Sequence, residues 1–127
     1  MREIKFRGWD YTHSMWRYGC LNVVDNKPYI VEEDYKSYLV NPASVGQYTG
    51  MYDSSTTHKY IYEGDIIQET PTHLYDLLWI VEFDNVSFKL RPFGKDGGYQ
   101  HLLEEYEWKD LRVVGNMIEG FRTEEIV

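Results

Sequence analysis

The stretch LLWIVEFDNVSFKLRP, residues 77–92, decides the fold class. Asp84-Asn85 suit the centre of a two-residue hairpin turn, because both tolerate positive φ. Folding the chain there opposes Phe83 with Val86, Val81 with Phe88, and Trp79 with Leu90. All six then share one face, while Glu82 with Ser87 and Ile80 with Lys89 fall on the other. A slip of one residue would mix the two sets, since successive side chains in a strand point to opposite faces. The stretch therefore predicts an antiparallel hairpin with one buried apolar face.

Working outward, residues 2–9 alternate, with Ile4 and Phe6 on one side and Lys5 and Arg7 on the other. That pattern predicts a half-buried strand with the apolar pair inward. MWRYGCLNVV at 15–24 predicts a second strand, interrupted at Gly19 by a bulge. The turn cluster Asp25-Asn26-Lys27-Pro28 leads into a short strand, PYIV. EEDYKSYL at 32–39 suggests one helical turn, and the Asn, Pro, Ser, Thr and Gly content of 41–57 suggests an extended loop. Downstream, FGKDGGYQ at 93–100 reads as a glycine-rich turn, and LLEEYEW at 102–108 is ambiguous between helix and strand. LRVVGNMI at 111–118 predicts a strand with a bulge or close approach at Gly115, and FRTEEIV closes as a frayed end or short helix. Closely spaced strands make the chain mainly β.

The 127 residues suit one compact domain over 1–127, with subdomains expected at 1–59 and 60–127. A chain of this length can bury roughly two-thirds of its unfolded surface. Cys20 is the single cysteine, so no disulfide forms within the chain, and its apolar setting suggests a buried, inert thiol. MREIKFRGWD has no apolar core of a signal peptide, and the longest apolar run, Leu77 to Val81, is far short of a membrane span. The expected location is the cytoplasm of a bacterial host.

Net charge is −8, and it is concentrated: residues 32–85 hold ten acidic groups against two basic ones. A field of that sign repels phosphate backbones and disfavours nucleic-acid binding, although Arg2, Lys5 and Arg7 form a local basic patch. An acidic surface meeting a basic protein fits better. Twelve tyrosines suit packing within the protein or at subunit contacts, because a large ring carries a polar tip.

Motifs that would carry chemistry are weak. Gly94, Gly97 and Gly98 lack the G-x-x-x-x-G-K-[ST] pattern of a phosphate-binding loop. Histidines 13, 58, 73 and 101 have no metal-ligand spacing. Asp53, Glu63, Asp65, Glu82 and Asp84 have no spacing that converges carboxylates on Mg²⁺. Ser-Ser-Thr-Thr-His at 54–58 reads as polar loop rather than a nucleophile with its base. In YEGDII at 62–67, Glu63-Gly64-Asp65 reads as a turn feeding a strand through Ile66 and Ile67.

Four blocks, MREIKFRGWD at 1–10, VGQYTGMYD at 45–53, IYEGDII at 61–67 and VVGNMIE at 113–119, together resemble the YopX family of small phage and prophage proteins. The residues carrying that resemblance are Trp9, Asp10, Gln47, Tyr48, Thr49, Gly50, Asp53, Tyr62, Glu63, Gly64, Asp65, Gly115 and Asn116. The family usually has alanine where Gly8 stands, and a short Asn-Gly turn where this chain has the longer SSTTHKY. Tyrosine and Asn-Pro often stand in the family near Ile118 and Gly120-Phe121. The resemblance implies a mainly β fold with a small SH3-like barrel, here expected over 60–127 with the N-terminal strands packed against it. It supplies no catalytic residues, no cofactor and no metal. The resulting expectation is a phage-derived, non-enzymatic, self-associating binding protein. Its alternatives are an acidic modulator of a basic host protein and a metal-dependent enzyme acting on nucleic acid.

Overall fold

The computed structural model describes residues 3–55, 57–69, 77–84, 87–92, 101–102 and 111–121. The chain divides into two compact units, Met1–Gly50 and Met51–Val127.

In the first unit the strands are β1 (Phe6–Asp10), β2 (Met15–Val24), β3 (Lys27–Val31), β4 (Ser37–Leu39) and β5 (Gly46–Tyr52), whose last two residues enter the second unit. They lie side by side in the order β4-β3-β2-β1-β5, each antiparallel to its neighbour. A two-residue turn, Asp25-Asn26, joins β2 to β3 between the pair Val24 and Lys27. Both turn residues have positive φ, 52° and 64°, which matches the right-handed twist of the flanking strands. Ile30 and Val40 are the buried aliphatic side chains on the inner face.

Several expectations for this unit are corrected. EEDYKSYL forms a tight reversal and strand β4 rather than a helical turn. Tyr35 N donates to Glu32 O at 2.9 Å, Glu32 N to Lys36 O at 3.0 Å, and Tyr35 takes φ 66°. That is the three-residue hairpin loop whose last position is left-handed. Within 41–57, Pro42–Ser44 is a short 3-10 helix and Gly46–Tyr52 is β5, so most of the expected loop is regular structure. In β1 the buried charged residues lie on both faces, Arg7 on the side of Trp16 and Tyr18 and Asp10 on the side of Gly8 and Arg17, whereas Ile4 before it is 72% exposed. Arg7 lies over the Trp16 ring at 4.3 Å, and this partner lets its guanidinium be buried. Cys20 is exposed rather than buried, because its face of β2 is only partly covered.

The second unit holds β6 (Tyr60–Tyr62), β7 (Asp65–Glu69), β8 (Leu77–Phe83), β9 (Phe88–Pro92), β10 (His101–Leu102), β11 (Leu111–Asn116) and β12 (Gly120–Phe121). Strands β7 to β12 form one antiparallel sheet in the open order β10-β9-β8-β7-β11-β12. The 77–92 hairpin is present, with its register two residues from the expected one. Phe83 pairs with Phe88, Val81 with Leu90 and Trp79 with Pro92. The shift is even, so the apolar residues keep their common face. Asp84 flanks the turn instead of centring it: Asp84 N donates to Ser87 O at 3.2 Å, and Ser87 N donates to Asp84 Oδ1 at 2.9 Å. The side-chain acceptor secures the longer closure. Ile61, Ile67, Trp79, Val81, Phe88, Leu90 and Leu111 make the core, with Met51, Phe83 and Val113 against it. The expected irregularity near Gly115 is a register shift between Val113 and Gly115 in the β11–β7 pairing. The readings for 93–100, 103–108 and the tail from 122 fall outside the described residues.

Candidate functional site

The residues that carry the family resemblance gather in two places. In the first unit, Asp10 ends β1 and closes the Tyr11–Ser14 loop that leads into β2. Its carboxylate is 2% exposed and accepts from His13 N at 3.2 Å, His13 Nδ1 at 2.7 Å and Arg17 Nε at 3.0 Å. The loop amide uses the short Asp side chain as a local cap, which an Asp at a strand end readily supplies. Arg17 Nη1 reaches Glu32 Oε1 at 3.3 Å, and its guanidinium lies 3.6 Å from the Tyr38 ring centroid. Asp10, Arg17, Glu32 and Tyr38 thus tie three strands and a turn together.

Burial pushes the Asp10 carboxyl upward, but the hydrogen bonds from His13 and Arg17 outweigh it and hold the group below its ordinary value of 3.8. Burial likewise acts to lower Arg17, and the bond to Asp10 with the nearby Glu32 and Tyr38 overcomes it, so Arg17 stays charged.

Trp9 is fixed from the backbone. Its N–H donates to Ser44 Oγ at 2.7 Å, and its carbonyl accepts from Asn41 N at 2.8 Å. Its ring meets Trp16 edge-on, 5.4 Å between centroids. Gln47 pairs with Phe6, and Tyr48 N donates to Lys5 O at 2.8 Å. Tyr48 and Thr49 are buried, and Gly50 takes φ 89°.

In the second unit the remaining motif residues meet. Asp53 is fully buried and saturated. Oδ1 accepts from Ser55 N at 3.1 Å, Ser55 Oγ at 2.6 Å and Lys59 N at 2.8 Å, while Oδ2 accepts from Val113 N at 2.9 Å. Ser54 adds two bonds to the Leu111 carbonyl, at 2.9 Å from its N–H and 3.0 Å from its hydroxyl. The longer SSTTHKY turn is thus pinned at its base to β11.

Tyr62 N donates to Asp65 Oδ2 at 2.8 Å across the Glu63-Gly64 turn. Gly64 has φ 92°, a conformation that costs a side-chain-bearing residue but not glycine. Its N–H donates to Val81 O at 2.8 Å, and its carbonyl accepts from Met117 N at 3.0 Å. Asp65 stands opposite Asn116 in the β7–β11 register, and Gly115 stands opposite Ile66. Asn116 Oδ1 in turn accepts from Ile118 N at 3.0 Å and Glu119 N at 2.8 Å, closing the turn to β12. Glu63 is half-buried.

Chemically, the aspartates of the motifs act as acceptors for the fold's own donors. Asp10 with His13 has the arrangement that orients a general base. Among the described residues, however, no hydroxyl or thiol hydrogen-bonds the His13 ring. No group of three or more His, Cys, Asp or Glu among the described residues could hold a metal ion. No helix among them is long and apolar enough to cross a membrane.

Residues 17, 32 and 38 join this cluster although nothing in the sequence singles them out. Arg17 lies seven positions beyond Asp10, a spacing that becomes a contact only because of how β1 and β2 pair around the intervening loop.

No curated protein matches the sequence. The profile of the family described as YopX protein matches residues 5–120. That span contains every motif residue placed above, and the chain belongs to the YopX family.

Proposed function

We propose that the protein works by binding, without chemistry of its own, and that it self-associates. The carrying observation is that the motif aspartates Asp10, Asp53 and Asp65 are all buried and bonded to donors of the same fold. A general base or metal ligand needs an acceptor turned to a substrate, and these are turned inward.

The surface for self-association is the outer face of β2, β3 and β4. The register puts Tyr18, Cys20 and Val24 of β2 on the same side as Tyr29 and Val31 of β3 and Leu39 of β4. Tyr18, Val24 and Leu39 are 40%, 46% and 51% exposed. The only side chain of these strands on that side that carries a charge at neutral pH is Lys27. Two chains of net charge −8 repel one another over most of their surface, and a face whose strands carry no carboxylate is where they can meet. Light scattering on the eluted protein tests this, and a lone 15.2 kDa chain at high concentration would contradict it.

We further propose that the second unit follows the path of an SH3-like small barrel. The order β10-β9-β8-β7-β11 supports this: a meander whose first strand also pairs with the last. A phage or prophage origin and a cytoplasmic location are consistent with the family and complete the proposal.

A further inference from the structure

We infer that a groove on the first unit receives a cationic segment of a partner protein, seating apolar side chains on its floor and lysine or arginine heads at its rim. The inference rests on the binding reading above and adds a second partner class; because the groove shares Tyr18, Cys20 and Val31 with the face proposed for self-association, the cationic segment and a second copy compete for it. The groove has a volume of about 780 Å³ and lies where β2 passes from pairing with β1 to pairing with β3.

Its floor is apolar: Ile4, Tyr18, Val31 and the exposed Cys20. Gly19 makes this floor possible, because a Cβ there would lie 2.1 Å from the Val31 carbonyl oxygen. Ile4 is 72% exposed, so much of the apolar surface meets water.

The rim is acidic. Glu3, Glu32, Glu33 and Asp34 line it, and among the described lining residues Lys5 is the one cation. Lys5 sits 6.0 Å from the Tyr18 ring centroid. Glu32 is partly engaged by Arg17, and Asp34 accepts from Lys36 N, whereas Glu3 and Glu33 are exposed. Lysine and arginine match this layout, since an aliphatic stem can lie on the floor while the charged head reaches the carboxylates. Nucleic acid and acidic peptides are repelled by the same rim.

Tyr35 closes one wall. It is 89% exposed and holds φ 66° at a position where glycine is usual. The fold thus keeps a strained aromatic pointing into solvent beside the acidic rim, where its ring face can receive a guanidinium or ammonium.

The test uses the full chain and a short fluorescein-labelled peptide of alternating lysine and leucine, with its glutamate–leucine counterpart as control, read by anisotropy. The lysine peptide is expected to bind, and to bind about tenfold more weakly near 0.5 M salt, where charges are screened beyond a few ångströms. Glu33→Lys is expected to weaken binding by about tenfold. Tyr35→Gly is expected to weaken it several-fold while leaving the melting temperature unchanged or higher, since glycine relieves the left-handed backbone. Bulky maleimide modification of Cys20 is expected to block it. Equal binding of both peptides, or equal binding by wild type and both variants, would overturn the inference. So would variants that change the chain's oligomeric mass but not peptide binding, which would assign the groove to a second copy. A monomeric protein that still binds the lysine peptide would sink self-association and leave the groove standing.

Discussion

Asp53 Oδ2 accepts the main-chain N–H of Val113 at 2.9 Å, sixty positions away, while Oδ1 holds the 53–59 turn. One buried carboxylate therefore links the second block of resemblance, upstream of β6, to the strand that carries the last. Hydrogen bonds to a charged acceptor contribute about 1.5–3 kcal/mol each, and donors left unsatisfied in the interior cost more than the bond was worth. Asp53→Ala is expected to lower unfolding free energy by at least about 3 kcal/mol. Asp53→Asn, which can keep only part of the set, is expected to lose less. Urea unfolding measures both, and a loss below about 0.5 kcal/mol for Asp53→Ala would remove the carboxylate from the frame.

The Asp10–Arg17 pair predicts a pH signature. Because the folded Asp10 carboxyl titrates below its unfolded value, its stabilisation is present above about pH 4. It is lost as pH falls through the depressed folded value. Asp10→Asn leaves Arg17 buried without its carboxylate, and a loss of about 3–5 kcal/mol at neutral pH is expected. The gap between wild type and variant should stay level from pH 7 down to about 5, then narrow below about 4. Urea midpoints across that range measure it, and a pH-independent gap would show that the carboxylate's charge is not what holds Arg17.

Gly64 turns the chain with φ 92° between β6 and β7. Gly64→Ala is expected to destabilise by about 1–2 kcal/mol, the ordinary cost of a left-handed L-residue. Thermal melting followed by far-ultraviolet circular dichroism measures it; an unchanged melting temperature would mean that the turn relaxes to another type.

Cys20 stands exposed on β2. A thiol reagent such as dithiobis(nitrobenzoate) is expected to titrate one equivalent in the native protein without denaturant. If self-association covers this face, the rate should fall as protein concentration rises. Reaction only after unfolding would place the thiol inside.

How much of this was legible in the sequence depended on which physical signal each element carries. Alternation from Trp79 to Leu90 established the shared face of the hairpin, because strand side chains have period two. The same signal is blind to a shift of two, and the bond from Ser87 N to Asp84 Oδ1 chose the register. Strand β5 was hidden by its Gly, Thr and Gln content, which resembles loop, although Tyr48 and Thr49 are buried. Arg7 and Asp10 of β1 are buried, on opposite faces, because Trp16 partners the first and His13 and Arg17 the second, and no periodicity reveals partners supplied by a loop and another strand. Motif positions were visible as residues of the family, but their roles were not. Asp53 and Asp65 bond mainly to backbone amides, which every residue but proline possesses and which therefore leave no mark in the sequence.

Self-association through the outer face of β2, β3 and β4 is tested most directly by size-exclusion chromatography with multi-angle light scattering. Wild type is expected at a whole-number multiple, two or more, of the 15.2 kDa chain mass. Val24→Lys with Leu39→Lys, at two solvent-exposed positions of that face, is expected to return the single-chain mass while circular dichroism stays unchanged. A wild-type mass of 15.2 kDa at concentrations near 100 µM, roughly where even a weak dimer would populate, would contradict it.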